Sequence, residues 1–114
     1  MAVENWSETV RVVHLADDPQ FSEDMISLDP LPPRAGIVLD FAGVRFVNSS
    51  NIAKLLTLRK RVAANEGRLL FCGVRDHVWS AFLVTGLDKL FEQAPDVSTA
   101  LASLQLGMSS GGKK

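Results

Sequence analysis

The chain is short of cysteine, of net charge and of long apolar runs, and each shortage closes off a class of function. With Cys72 as its one cysteine, the protein cannot form an intramolecular disulfide, and a reducing compartment fits best. No stretch approaches the roughly 18 consecutive apolar residues of a membrane span. Formal net charge is -1, so no overall field draws the protein to nucleic acid or to an anionic membrane. The opening MAVENWSETV has no basic segment followed by an apolar core, so no secretory signal is expected and the protein is read as cytoplasmic. Neither metal-ligand spacing nor an internal repeat is found, so no metal or cofactor is expected.

What is present is ordinary for a globular domain: 46% hydrophobic and 22% charged residues in 114 positions. A chain of this length hides roughly two-thirds of its unfolded surface on folding. One domain over residues 1–107 is expected, with the small polar residues 108–114 as a flexible tail.

TVRVVHL (9–15) is rich in β-branched residues and reads as a strand. Asp17 or Asp18 would cap a short helix with Pro19 at its first position and Phe21, Met25, Ile26 and Leu28 facing inward. DPLPPRAG (29–36) holds three prolines and is a loop. IVLDFAG (37–43) has the near-continuous apolarity of a strand buried on both faces, and VRFV extends or neighbours it. From Ser49 the period becomes helical, with Ile52, Leu55, Leu56, Val62 and Ala63 in one stripe and Lys54, Lys60 and Arg61 largely elsewhere. Gly67 would close that helix as a left-handed cap.

RLLFCGV (68–74) is a further buried strand. A helix over 75–86 follows, with Asp76 as cap, Val78, Phe82 and Leu83 inward and Gly86 as its stop. LDKLF (87–91) makes a short strand or turn. A last helix over 94–106 starts at Pro95 and Asp96, with Val97, Leu101 and Leu104 on one side. Such alternation implies an α/β fold whose parallel strands are joined by right-handed crossovers.

The stretches VLDFAGVRFVNSS, LLFCGV and LVTGLDKLF, in that order, resemble the STAS domain family of anti-sigma factor antagonist type. The resemblance covers residues 37 to about 105. It implies a small mixed sheet of about four strands with about four helices packed on it, and no leading strand is expected ahead of residue 9. It also implies a non-enzymatic, cytoplasmic partner-switching module. Its partner would be an anti-sigma factor or a serine kinase of the histidine-kinase-like ATPase type, with a phosphatase as a further partner. Carried across by position, the family's Asp-Ser-Ser-Gly becomes Asn48, Ser49, Ser50 and Asn51, so Ser49 takes the place of the phosphorylated serine and Ser50 is the second candidate. Partner binding would fall on Asn48, Ser49, Ser50, Asn51 and Ile52.

Physical chemistry supports two readings of NSSN. Ser and Asn are favoured helix caps, each worth about 1 kcal/mol over alanine. A phosphate at a helix start is also tolerated, because it meets unpaired N–H groups and the positive end of the dipole. A partner docked there would have to desolvate a dianion. A constitutive structural subunit of a signalling or transport assembly, not phosphorylated, is the alternative. Elsewhere, His14 and His77 read as structural or surface histidines and Cys72 as a core residue. Asp40 reads as a loop cap, Trp79 as a ring on the sheet, and residues 59–61 as a solvated face. Asp76, His77 and a serine lack the nucleophile elbow that a triad would need.

Overall fold

A computed structural model describes residues 3–109, with side chains through Leu106. One five-stranded sheet runs in the order β1 (Val3–Asn5), β2 (Val10–Ala16), β3 (Gly36–Gly43), β4 (Arg68–Cys72) and β5 (Glu92–Ala94). The pair β1–β2 is antiparallel and every other pair is parallel. The helices are α1 (Gln20–Ile26), α2 (Ser49–Ala64), α3 (Asp76–Val84) and α4 (Val97–Ser109), with a 3-10 turn over Leu87–Leu90.

Alternation along the strands explains the layering. Val13, Leu15, Ile37, Leu39, Phe41 and Phe71 point to one face and pack with Phe21, Met25, Leu55, Leu58, Val62, Val78 and Phe82 of α1, α2 and α3. Val10, Val12, Val38, Leu70 and Cys72 point to the other, where α4 contributes Ala100 and Leu104. Three crossover helices therefore share one face and the terminal helix covers the second, as successive right-handed β-α-β connections require.

Several expectations need correction. A leading strand, β1, is present and pairs Val3 with Val13; its three residues are too few to show a period. VRFV is not strand. Val44 is buried and Phe46 is 69% exposed in an irregular passage, because β3 ends at Gly43 and the chain must rise to start α2. In α2 the stripe takes Leu58, while Ala63 is exposed. Ile26 and Leu83 are exposed at 69% and 53%, each near the last turn of a short helix where the sheet no longer covers it. Arg75, not Asp76, stands at the cap of α3, and Asp76 lies in its first turn. α4 continues to Ser109, and the rest of the expected tail lies outside the described residues.

The turn after α2 shows a different use of glycine from the one its sequence suggests. Glu66, with φ 59°, takes the left-handed conformation, while Gly67 is needed for space. A Cβ on Gly67 would stand 2.3 Å from the Ala35 carbonyl oxygen, backbone that cannot yield. Gly67→Ala is expected to cost about 2 kcal/mol, checked by urea denaturation. A cost below a few tenths of a kcal/mol would contradict the close approach.

Candidate functional site

The serines sit where β3 gives way to α2, beyond the carboxyl ends of the parallel strands β2 and β3, the usual place for function in such sheets. Three tethers hold the connecting passage. Asp17, just past β2, accepts from the Arg45 N–H at 2.8 Å, the Phe46 N–H at 3.3 Å and Arg45 Nε at 3.0 Å. These donors, the Arg45 N–H foremost, hold its carboxyl below the usual range. From α3, His77 Nε2 donates to the Arg45 carbonyl at 2.7 Å. Arg75 donates to the Ala42 carbonyl at 2.8 Å.

Helix α2 begins with a reciprocal cap. Asn48 has extended dihedrals, and its Oδ1 accepts from the Asn51 N–H at 2.8 Å. Asn51 Oδ1 accepts from the Asn48 N–H at 3.1 Å, which closes a capping box built from two amides. Asn51 is 2% exposed, and its Nδ2 donates to Asp18 Oδ2 at 2.8 Å. Asp18 Oδ1 also accepts from the Ser22 hydroxyl at 2.7 Å and N–H at 3.0 Å. Ser22, then Asn51, hold the Asp18 carboxyl below its ordinary value. One carboxylate thus ties the start of α1 to the start of α2.

This arrangement settles which residue is the cap. Asn48 supplies it, and both serines lie exposed in the first turn. The Ser50 hydroxyl accepts from Lys54 Nζ at 2.9 Å, whereas no hydrogen bond to the Ser49 hydroxyl occurs among the described residues. Exposed beside them is Phe46, with the Arg45 guanidinium 5.8 Å from its ring centre. Of the five residues assigned to partner contact, Asn48, Ser49 and Ser50 are exposed. Ile52 is half-buried against the core and Asn51 is buried, so Asn51 holds the site together from beneath. Phe46 escapes the sequence reading, and Asp17 and Asp18 enter it only as caps of the first helix, without their bonds to Arg45 and Asn51. No periodic signal marks Phe46, because β3 ends at Gly43 and residues 44–48 are irregular.

A fold with these three crossover helices on one face and a serine pair opening α2 can be compared with known families. The family model described as "STAS domain" matches residues 2–100. The chain belongs to the STAS domain family. Solved structures agree on the fold. An anti-sigma-factor antagonist (STAS) domain protein from Planctomyces limnophilus is similar at 20% identity and a TM-score of 0.74, over 90% of this chain and 97% of that one. A sulfate transporter family protein from Wolinella succinogenes is similar at 14% identity and a TM-score of 0.73, each chain covered to 90%. The Bacillus cell fate determinant SpoIIAA in its phosphorylated form is similar at 16% identity and a TM-score of 0.67, over 89% and 96%. A comparison with curated proteins finds no matching sequence.

In this STAS domain the remaining sequence candidates keep structural roles. Cys72 is fully buried, and burial foremost, with Asp40 and Asp96, pushes its thiol up to about 12, which removes it from nucleophilic and metal chemistry near neutral pH. Trp79 stacks on Phe82 at 5.3 Å. Asp40 accepts from the Ala42 N–H at 3.0 Å, the loop-capping role read from sequence. Among the described residues no helix is long and apolar enough to cross a membrane, and no group of acidic, histidine or cysteine side chains is arranged to hold a metal.

Proposed function

We propose that this STAS domain is a non-enzymatic, cytoplasmic partner-switching module of anti-sigma factor antagonist type, turned off by phosphorylation of Ser49. The observation that carries the reading is the division of labour at α2. Asn48 and Asn51 satisfy the helix start between themselves, so the Ser49 hydroxyl is exposed and has no capping duty. A phosphate there adds about -1.5 to -2 charges at pH 7 without removing any bond that holds the fold. The partner is an anti-sigma factor or a serine kinase of the histidine-kinase-like ATPase type. It docks over Asn48, Ser49, Ser50 and the exposed Phe46 ring, and a phosphatase resets the site.

The test is capture of partners from native lysate by wild type and Ser49→Asp, with the retained proteins identified. A kinase-type anti-sigma factor should be retained by wild type and bound at least about tenfold more weakly by the variant, a difference of about 1.4 kcal/mol. With that kinase and ATP, wild type and Ser50→Ala should gain about 80 daltons, and Ser49→Ala should not. Modification of Ser49→Ala to the wild-type extent would overturn the assignment.

A second reading is a constitutive structural subunit of a transport or signalling assembly, never phosphorylated. The likeness to a sulfate transporter family protein favours it. It expects Ser49→Asp to leave partner affinity unchanged.

A further inference from the structure

On the sheet face shared with α4, and remote in sequence from the serines, one histidine is gripped from both sides. His14 lies mid-strand on β2. Its Nδ1 stands 2.8 Å from Asp40 Oδ2 on β3, and its Nε2 stands 2.7 Å from Glu4 Oε2 on β1. The register permits this: His14 is directly opposite Asp40, and Glu4 is opposite Val12, two residues along the same face. Three neighbouring strands are thus joined through one imidazole.

We propose that Glu4, His14 and Asp40 form a proton-dependent latch that holds the N-terminal strand β1 on the sheet. Both carboxylates only accept hydrogen bonds, so both ring nitrogens must donate, and an imidazole does so only when protonated. Once neutral, it keeps one N–H and must release one carboxylate. The Glu4 side chain is 58% exposed and that of Asp40 is 18% exposed. Asp40 is further fixed by the Ala42 N–H at 3.0 Å, so Glu4 is the partner that leaves.

Among the described residues little else holds β1. Its ladder is three residues long, with Glu4 and Asn5 exposed and Val3 half-buried. The turn that follows has its own bonds, from the Trp6 and Ser7 N–H groups to the Val10 carbonyl at 2.9 and 3.1 Å. Release therefore frays the strand without unfolding the turn. An exposed, incompletely paired β2 edge would then be open to a further strand.

The charges around His14 agree in sign. Asp40 foremost raises its pKa above the ordinary value; burial opposes the rise, and Glu4 adds to it. On the neighbouring β4, Cys72 stays neutral with its thiol pushed up to about 12. The α4 residues packed on this face, Ala100 and Leu104, are apolar. Arg75 lies near the end of β3 but gives its guanidinium to the Ala42 carbonyl, and Asp96 is turned to the Thr99 N–H. Because the folded pKa is raised, the latch is complete below the unfolded value of about 6.5. It is lost as pH rises through the folded one. The two carboxylates lie on opposite sides of the ring and do not converge on one cation, so a metal site does not explain them.

Hydrogen exchange followed by NMR, with the His14 ring titrated in the same samples, tests the latch. Protection of the amides in Val3–Asn5, corrected for intrinsic exchange, should fall as His14 loses its proton. The factor is about ten for each pH unit separating the latched from the unlatched pKa. Glu4→Gln should lower the His14 pKa and flatten the dependence, and His14→Gln should abolish it. Protection that stays constant in wild type across the His14 titration overturns the proposal. So does an equal fall in His14→Gln.

Discussion

Phe71→Ala is expected to lower stability by about 3–5 kcal/mol, a large part of the 5–15 kcal/mol typical of a domain. Phe71 is fully buried on β4, the strand that receives α2 and launches α3. Its ring stacks on Phe91 at 4.5 Å, meets Phe41 at 4.7 Å and stands edge-on to Phe82 at 5.8 Å. Phe41 continues to Phe21 at 6.4 Å, and Phe82 to Trp79 at 5.3 Å. One chain of rings therefore runs from α1 across the sheet to α3, and Phe71 is its junction. Deleting the junction removes three ring contacts and leaves a void that neither strand can collapse to fill. Urea denaturation measures the loss. Phe46→Ala is the control: that ring is 69% exposed, so its removal should change stability by less than about 0.5 kcal/mol. A cost for Phe71→Ala below about 1.5 kcal/mol would show that the rings act separately and not as one unit.

The same rings show why the middle of the fold was readable in the sequence. IVLDFAG in β3 and RLLFC in β4 lie in strands buried on both faces, and their apolarity is nearly continuous because both faces need it. Ser49 to Ala64 is long enough for its helical period to emerge. Short elements fared worse for the same reason. β1 has three residues and its pairing with β2 is a tertiary fact, so nothing local in VEN distinguishes it from a loop. Ile26 and Leu83 obey the helical period yet face solvent, because the period marks a direction and not whether a neighbour lies there.

At the site, the location was legible and the mechanism of support was not. A strand followed by a run of Ser and Asn marks a helix start wherever it occurs. That Asn48 caps and leaves the serines free depends on Asn51 reaching back to it. Asn51 in turn is oriented by Asp18, 33 residues earlier. No spacing rule links residues so far apart in the chain. The two asparagines that depart from the family's aspartate and glycine thus form a matched pair, each completing the other's hydrogen bond.

That pairing leads to a second large effect. Asn51→Asp is expected to destabilise the domain by about 2 kcal/mol at neutral pH. The substitution keeps the oxygen that receives the Asn48 N–H but replaces the Nδ2 donor, 2.8 Å from Asp18 Oδ2, with a second carboxylate oxygen. A donor-acceptor contact becomes a contact between two anions at a position that is 2% exposed. Breaking a fully buried charge pair costs about 3–5 kcal/mol. Here solvent reaches Asp18, and the helix dipole favours an acid in the first turn by about 0.3–1 kcal/mol, so the smaller figure applies. The pH dependence follows from the sign of the repulsion. One carboxyl of the pair has its folded pKa raised, so the penalty is complete above that value. It fades as pH falls toward the unfolded value of about 3.9. Wild type behaves oppositely there, because its Asp18 carboxyl is held low and its contribution is lost in acid. Adding Asp18→Asn to Asn51→Asp restores an amide facing a carboxylate with the roles exchanged, and the Ser22 groups can still donate to the amide oxygen at position 18. The double variant should therefore recover most of the lost stability, and with it the partner binding assigned to the exposed serines. Additive losses in the two variants would mean that Asp18 and Asn51 act independently. The start of α1 would then play no part in shaping the start of α2.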